Sequence, residues 1–156
     1  MKGQSARSGP RYQALIELLR TSETLWNASR VFFARWDLSP SQFNVLNLLH
    51  EQPRGCTQIA LSRQLIMHRS NVTGLVDRLE ARGLLERQDS LTDRRAFVVV
   101  LTPAGEKLIC EILPHYYQAA ETVWGDVTIK RAKQVVSELT AISVNAQRIA
   151  NKSKSS

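Results

Sequence analysis

The chain has 156 residues, with 21 Lys and Arg against 14 Asp and Glu and a formal net charge of +7. That length builds one domain, or one domain with helical extensions, around a real core. Its longest fully apolar run, Ala96 to Leu101, is far too short to cross a bilayer, so a cytoplasmic protein with no membrane partner is expected.

The charge is unevenly spread. Lys2, Arg7 and Arg11 at one end and Arg148, Lys152 and Lys154 at the other have no acidic neighbours. Removing those six from the 21 leaves 15 basic residues against 14 acidic ones, so the body is nearly neutral. A nucleic-acid reading therefore rests on where the arginines sit and not on their total. Cys56 and Cys110 make no metal or redox spacing. No phosphate-binding loop, dinucleotide glycine pattern, zinc spacing or nucleophile elbow is found, so neither an enzyme nor a cofactor is expected.

Residues 1–9 read as a disordered basic N-terminus. Tyr12, Leu15, Ile16, Leu19, Trp26 and Phe33 recur at helical spacing without internal Gly or Pro, predicting one helix over about 10–36. Its apolar face is broad enough to suggest a partner chain. Ser39-Pro40-Ser41-Gln42 is a helix start with Ser as cap, Pro at the first position and Gln at the third. Phe43, Leu46 and Leu49 supply the buried stripe, and Pro53 and Gly55 mark the end. Thr57 caps a short helix to about Leu65, and Ile66-Met67-His68 makes a tight turn. Arg69 to Arg82 is helical, with Val72, Leu75, Val76 and Leu79 on one face. The opposite face carries Ser70, Thr73, Gly74, Asp77, Arg78 and Ala81, with Asn71 at its flank. Two short helices joined by a tight turn follow the helix-turn-helix plan.

Gly83 suits the left-handed residue that closes a helix. Leu84 to Gln88 and the Val-rich Phe97 to Leu101 read as two strands. The loop between them carries Asp93, Arg94 and Arg95. Thr102-Pro103 opens another helix, with Leu108, Ile109, Ile112 and Tyr116 as its stripe and a kink expected at Pro114. Gly125-Asp126 breaks it. Thr128 caps a last helix, whose apolar face runs through Ala132, Val135, Val136, Leu139, Ile142, Ala146 and Ile149. Residues 151–156 are polar and read as a disordered tail.

This order of elements resembles the MarR family of bacterial winged-helix transcriptional regulators. Three stretches carry the resemblance: Leu38-Ser-Pro-Ser-Gln-Phe-Asn-Val-Leu46, Ser70-Asn-Val-Thr-Gly-Leu-Val-Asp-Arg-Leu-Glu80, and Gly83-Leu-Leu-Glu-Arg87 through Asp93-Arg-Arg95 to Leu101-Thr-Pro-Ala-Gly105. The chain departs from the family pattern at Ile66 and His68 in the turn, at Gly74 in the recognition helix and at Ser62, which leaves the operator sequence open.

The resemblance implies a mainly α fold with a small β-hairpin wing, a winged helix-turn-helix over about 39–102. Long dimerisation helices over about 10–36 and 103–150 would flank it in a single domain of residues 10–150. It implies a homodimeric repressor that binds a double-stranded, inverted-repeat operator and is released by a small aromatic or phenolic effector. Arg95 matches the wing arginine expected in the minor groove, where a narrow groove concentrates negative potential. Asp93 would hold the hairpin or the arginine, and Arg94 would contact phosphate. Ser70, Asn71 and Thr73 fall where base edges and phosphates are met, with Gly74 in the same row. Arg69 and Arg78 are phosphate contacts, although Arg78 has a rival role in pairing with Asp77 or Glu80.

Trp26 and Tyr116 are the residues named for an effector pocket, against plain packing as the alternative. His50, His68 and His115 are scattered with no two four apart, which does not suggest a metal. The competing function is a winged-helix protein-interaction module without specific DNA binding.

Overall fold

The computed structural model describes residues 9–65, 72–90 and 97–152. Helix α1 spans Pro10–Phe33 and passes into a 3-10 turn, Ala34–Trp36. Helices α2 (Pro40–His50), α3 (Gln58–Gln64) and α4 (Val72–Ala81) follow, then strands β1 (Leu85–Asp89) and β2 (Phe97–Leu101). Helices α5 (Pro103–Trp124) and α6 (Ile129–Lys152) complete the order. The chain divides into two compact units, Met1–Glu111 and Ile112–Ser156. Among the described residues no helix is long and apolar enough to cross a membrane.

Local chemistry sets the boundaries. Ser39 closes a full capping box: its hydroxyl accepts from Gln42 N at 3.2 Å, and its own N–H donates to Gln42 Oε1 at 2.8 Å. Thr57 accepts from Ala60 N at 3.2 Å and starts α3. Behind α4, Gly83 takes φ +68°, its N–H donates to Glu80 O, and Leu84 N–H donates to Leu79 O, a Schellman closure. The Thr102 hydroxyl accepts from Gly105 N at 3.1 Å and donates to Gly83 O at 2.6 Å. One side chain thus begins α5 and fastens it to the end of α4.

β1 and β2 pair antiparallel, with Leu85 opposite Leu101 and Asp89 opposite Phe97. The first strand begins one residue later than the pattern predicts, because Leu84 is taken up in the Schellman closure. A third segment joins them. Cys56 exchanges both backbone hydrogen bonds with Val99, 3.2 and 2.9 Å, on the free edge of β2. Gly55 beside it has φ +69°, and a Cβ there would run into Val99 O and Val100 Cγ1.

The core of the first unit is Phe33, Phe43, Leu46, Leu49, Leu61, Val76, Leu79, Leu85, Val99 and Ile109, each at most 2 % exposed. Phe33 stacks on Phe43 at 4.2 Å between centroids, which joins the end of α1 to α2. Leu75, expected on the buried stripe of α4, is only half-buried, while Val72, Val76 and Leu79 are buried.

In the second unit, α5 continues across Pro114 to Trp124. Gly125 turns the chain at φ +54°. The Thr128 hydroxyl accepts from Arg131 N and opens α6. That helix includes Asn151 and Lys152, two residues expected in the polar tail; backbone hydrogen bonding continues where side-chain polarity alone argues for a stop. None of its residues is buried.

Candidate nucleic-acid interface

Thr73, Gly74 and Arg78 lie on α4, with Thr73 and Arg78 exposed and Gly74 half-buried. Arg69, Ser70 and Asn71 lie outside the described residues, as does the stretch 66–68 where a tight turn is expected. Asp93, Arg94 and Arg95 also lie outside them, on the connection between β1 and β2. The described frame places one end of α4 and both strands of the hairpin, and so fixes where those two segments start and return.

Two arginines that the sequence reading did not single out hold this frame. Arg87, on β1, reaches α4: Nη2 donates to Asp77 Oδ1 at 2.5 Å and Nη1 donates to Glu80 Oε2. Its backbone N–H donates to Glu80 Oε1 at 3.2 Å. With the Gln58 amide turned so that its oxygen faces the guanidinium, it accepts from Arg87 Nη2 at 3.0 Å and Nε at 3.2 Å. The Thr73 hydroxyl lies 3.4 Å from that same amide. One guanidinium therefore joins α3, α4 and the first wing strand. The hydrogen bond to Asp77, the nearby acids and the bond to Glu80 raise the Arg87 pKa against a lowering by burial, so it stays charged.

This arrangement bears on the rival role of Arg78. Asp77 and Glu80 are both engaged by Arg87, and Arg78 forms an ion pair with neither. Arg87 thus pairs with two carboxylates on the helix that carries the polar face. A signal was present in the sequence: Asp77, Glu80 and Arg87 bracket a predicted helix-to-strand turn, though contact order alone does not pair them.

Arg82 holds the other side. Its Nη1 donates to Asp37 O at 2.5 Å and its Nη2 to Trp36 O at 3.3 Å. These carbonyls end the 3-10 turn after α1, where Asp37 takes the left-handed φ of 53°. The Arg82–Asp37 carboxylate separation is a looser 3.8 Å with Asp37 almost fully exposed, so the carbonyl contacts matter more than the ion pair.

Trp26 is half-buried on α1 in the first unit, and Tyr116 is exposed on α5 in the second. A cleft of about 290 Å³ near the start of α2 is lined by Arg30, Ala34, Asp37, Leu38, Ser39 and Gln42, and Trp26 does not line it.

Comparison with known proteins gives this geometry a family. A profile of the MarR family matches residues 36–96, from the end of the 3-10 turn to the foot of β2. The transcriptional regulator FarR of Neisseria gonorrhoeae is 31% identical over 130 residues, covering 81% of this chain and 88% of its own. The chain belongs to the MarR family.

Among solved structures, the transcriptional repressor CouR bound to a 23-mer DNA duplex superposes with a TM-score of 0.73 at 25% identity, over 92% of this chain and 98% of CouR. BpsR of Bordetella bronchiseptica, whose DNA binding is regulated by 6-hydroxynicotinic acid, superposes with a TM-score of 0.71 at 28% identity, over 81% of this chain and 91% of BpsR. In MarR terms, α3 and α4 belong to the winged helix, and β1 and β2 are its wing. The protein is a MarR-type, DNA-binding transcriptional regulator.

Proposed function

We propose that the protein is a homodimeric repressor of transcription that binds an inverted-repeat operator in double-stranded DNA and is released by a small aromatic or phenolic effector. The observation that carries the reading is the clamped α4: Arg87 and Arg82 fix a helix whose exposed face holds Thr73 and Arg78.

Two such helices would enter successive major grooves about 34 Å apart on one face of the duplex. Ser70, Asn71 and Thr73 would meet base edges, with Gly74 in the same row. Arg69, Arg78 and Arg94 would meet phosphates, while Arg95, steadied by Asp93, would enter the flanking minor groove.

The unsatisfied apolar surface of α6 supports the dimer. Leu139, Ile142 and Ile149 are exposed along that helix, and Tyr12, Leu15 and Leu19 are exposed along α1. A monomer gains nothing from holding such stripes in water. The effector reading draws on BpsR with 6-hydroxynicotinic acid and on CouR with p-coumaroyl-CoA. Trp26 and Tyr116 are the aromatic residues assigned to contact the effector here. A ligand releases DNA only by preferring the conformation that fits DNA less well. Cytoplasmic location and a single domain over residues 10–150 belong to the same proposal.

The test is a titration with duplex from upstream of the protein's own gene, at two salt concentrations and with unrelated duplex as competitor. Binding that survives competition and weakens steeply with salt is expected, because phosphate neutralisation releases counterions. Absence of binding to any duplex at any salt would favour the protein-interaction module instead.

A further inference from the structure

Folding brings together three metal-ligating side chains that the sequence keeps far apart. His50 is the last residue of α2. Glu106 lies in the first turn of α5, and Cys110 lies one turn further on the same helix face. His50 Nδ1 stands 2.8 Å from Glu106 Oε1, and Cys110 Sγ stands 3.6 Å from that same oxygen. One ligand atom from each residue lies within 4.8 Å of the other two.

An ordinary histidine–carboxylate pair does not account for this geometry. His50 Nδ1 is covered from solvent and has no aligned hydrogen-bond partner among the described residues, although the carboxylate oxygen is close. The separation satisfies an ion pair, but the oxygen lies off the direction in which a ring N–H would donate. The alignment is the more telling of the two, since a charge-assisted hydrogen bond at that distance would be well directed. A covered ring nitrogen without a donor geometry is costly to leave unmatched. A cation between the three groups matches it with the nitrogen lone pair.

We propose that His50, Glu106 and Cys110 form a binding site for a divalent transition-metal cation of the zinc class. Nδ1, a carboxylate oxygen and Sγ are its protein ligands, and water fills the fourth position. Ligands at the usual zinc bond lengths sit roughly 3.3–3.8 Å apart around a tetrahedral ion. Modest rotations of the exposed Glu106 and Cys110 side chains reach that spacing. Imidazole with thiolate selects zinc or cobalt over magnesium or calcium. On binding, the Cys110 thiol gives its proton to solvent, Sγ bonds the metal, and no electron is transferred. Three protein ligands and an open position describe an exchangeable site, and the bound ion would tie the end of α2 to the start of α5. The inference does not rest on the operator or effector reading.

Cobalt(II) reports the site directly. Titration of Co²⁺ into the reduced, metal-free full-length protein is expected to give one ion per chain, a thiolate-to-cobalt charge-transfer band, and a raised melting temperature. Zinc should displace it. Cys110→Ser, at an exposed position, should abolish the band, and Cys56→Ala should keep it. His50→Gln should weaken binding by more than the roughly 10–100-fold that changes outside the ligand shell cause. No charge-transfer band at saturating cobalt, or a band that survives Cys110→Ser or is lost in a folded Cys56→Ala, would overturn the site.

Discussion

In the lobe from α2 to β2, Phe43, Leu46, Leu61, Val76 and Leu79 are at most 1 % exposed, whereas along α6 Leu139, Ile142 and Ile149 remain 39, 45 and 70 % exposed. Both regions have amphipathic helices of ordinary composition. The lobe has a second layer for each apolar stripe to bury against: α2 packs on α3, α4 and β2, and α4 packs on β1. Helix α6 has a regular stripe, and none of its residues is buried. The lobe buries its apolar stripes among its own elements, and in the proposed dimer α6 would carry half of the interface. The difference predicts where stability depends on protein concentration and where it does not.

The strongest way to test that contrast is to damage each side. Leu46→Ala removes a fully buried side chain and should cost about 2–5 kcal/mol of folding stability. Denaturant midpoints measured across a wide range of protein concentration should fall by the same amount for this variant. By contrast, Leu139→Asp combined with Ile142→Asp should leave the lobe's near-ultraviolet spectrum unchanged. It should weaken self-association by about a hundredfold or more, roughly 3 kcal/mol, as read by sedimentation velocity. An unchanged sedimentation coefficient at low concentration would remove α6 from the interface.

Within the lobe the comparison narrows to α4 against the wing. Arg95→Ala should weaken operator binding by about 1–3 kcal/mol and leave dimerisation alone. Arg87→Met keeps much of the side chain's bulk but removes its hydrogen bonds to Asp77, Glu80 and Gln58. The loss should be about 1–2 kcal/mol of stability, toward the low end because Asp77 is largely exposed. Operator affinity should fall as well, since the two carboxylates on α4 lose the one positive charge that partly offsets them. Arg87→Met with unchanged affinity and unchanged melting would show that α4 is held by its apolar stripe alone.

Local signals were legible in the sequence and distant ones were not. The capping box at Ser39, the cap at Thr57, the left-handed Gly83 and the Thr102-Pro103 start each involve residues within about one turn, and each appears where the residue types place it. The pairing of Cys56 with Val99 was missed because a single bridge leaves no alternating pattern to read. Arg87 was missed because its partners come from the preceding helix and from Gln58. His50, Glu106 and Cys110 leave no ligand spacing along the chain, because only the fold brings a residue of α2 to α5. The apolar face of α6 was read correctly as a pattern, but a periodicity does not say whether its cover lies in the same chain or in another.

Thr73 offers the finest test, because two roles compete for one hydroxyl. If the side chain reads a base, Thr73→Ala should change the ranking of operator variants, by about 1 kcal/mol at one base pair. If its role is the contact with the Gln58 amide, the loss should be uniform across operators and should appear also in the melting temperature of the free protein. Thr73→Ser separates the two. It keeps the hydroxyl near Gln58 and deletes the methyl that a thymine would touch. A Ser variant with wild-type stability and altered preference would place the Thr73 methyl against a base. A Ser variant indistinguishable from the parent, beside an Ala variant that melts lower, would make Thr73 part of the clamp on α4.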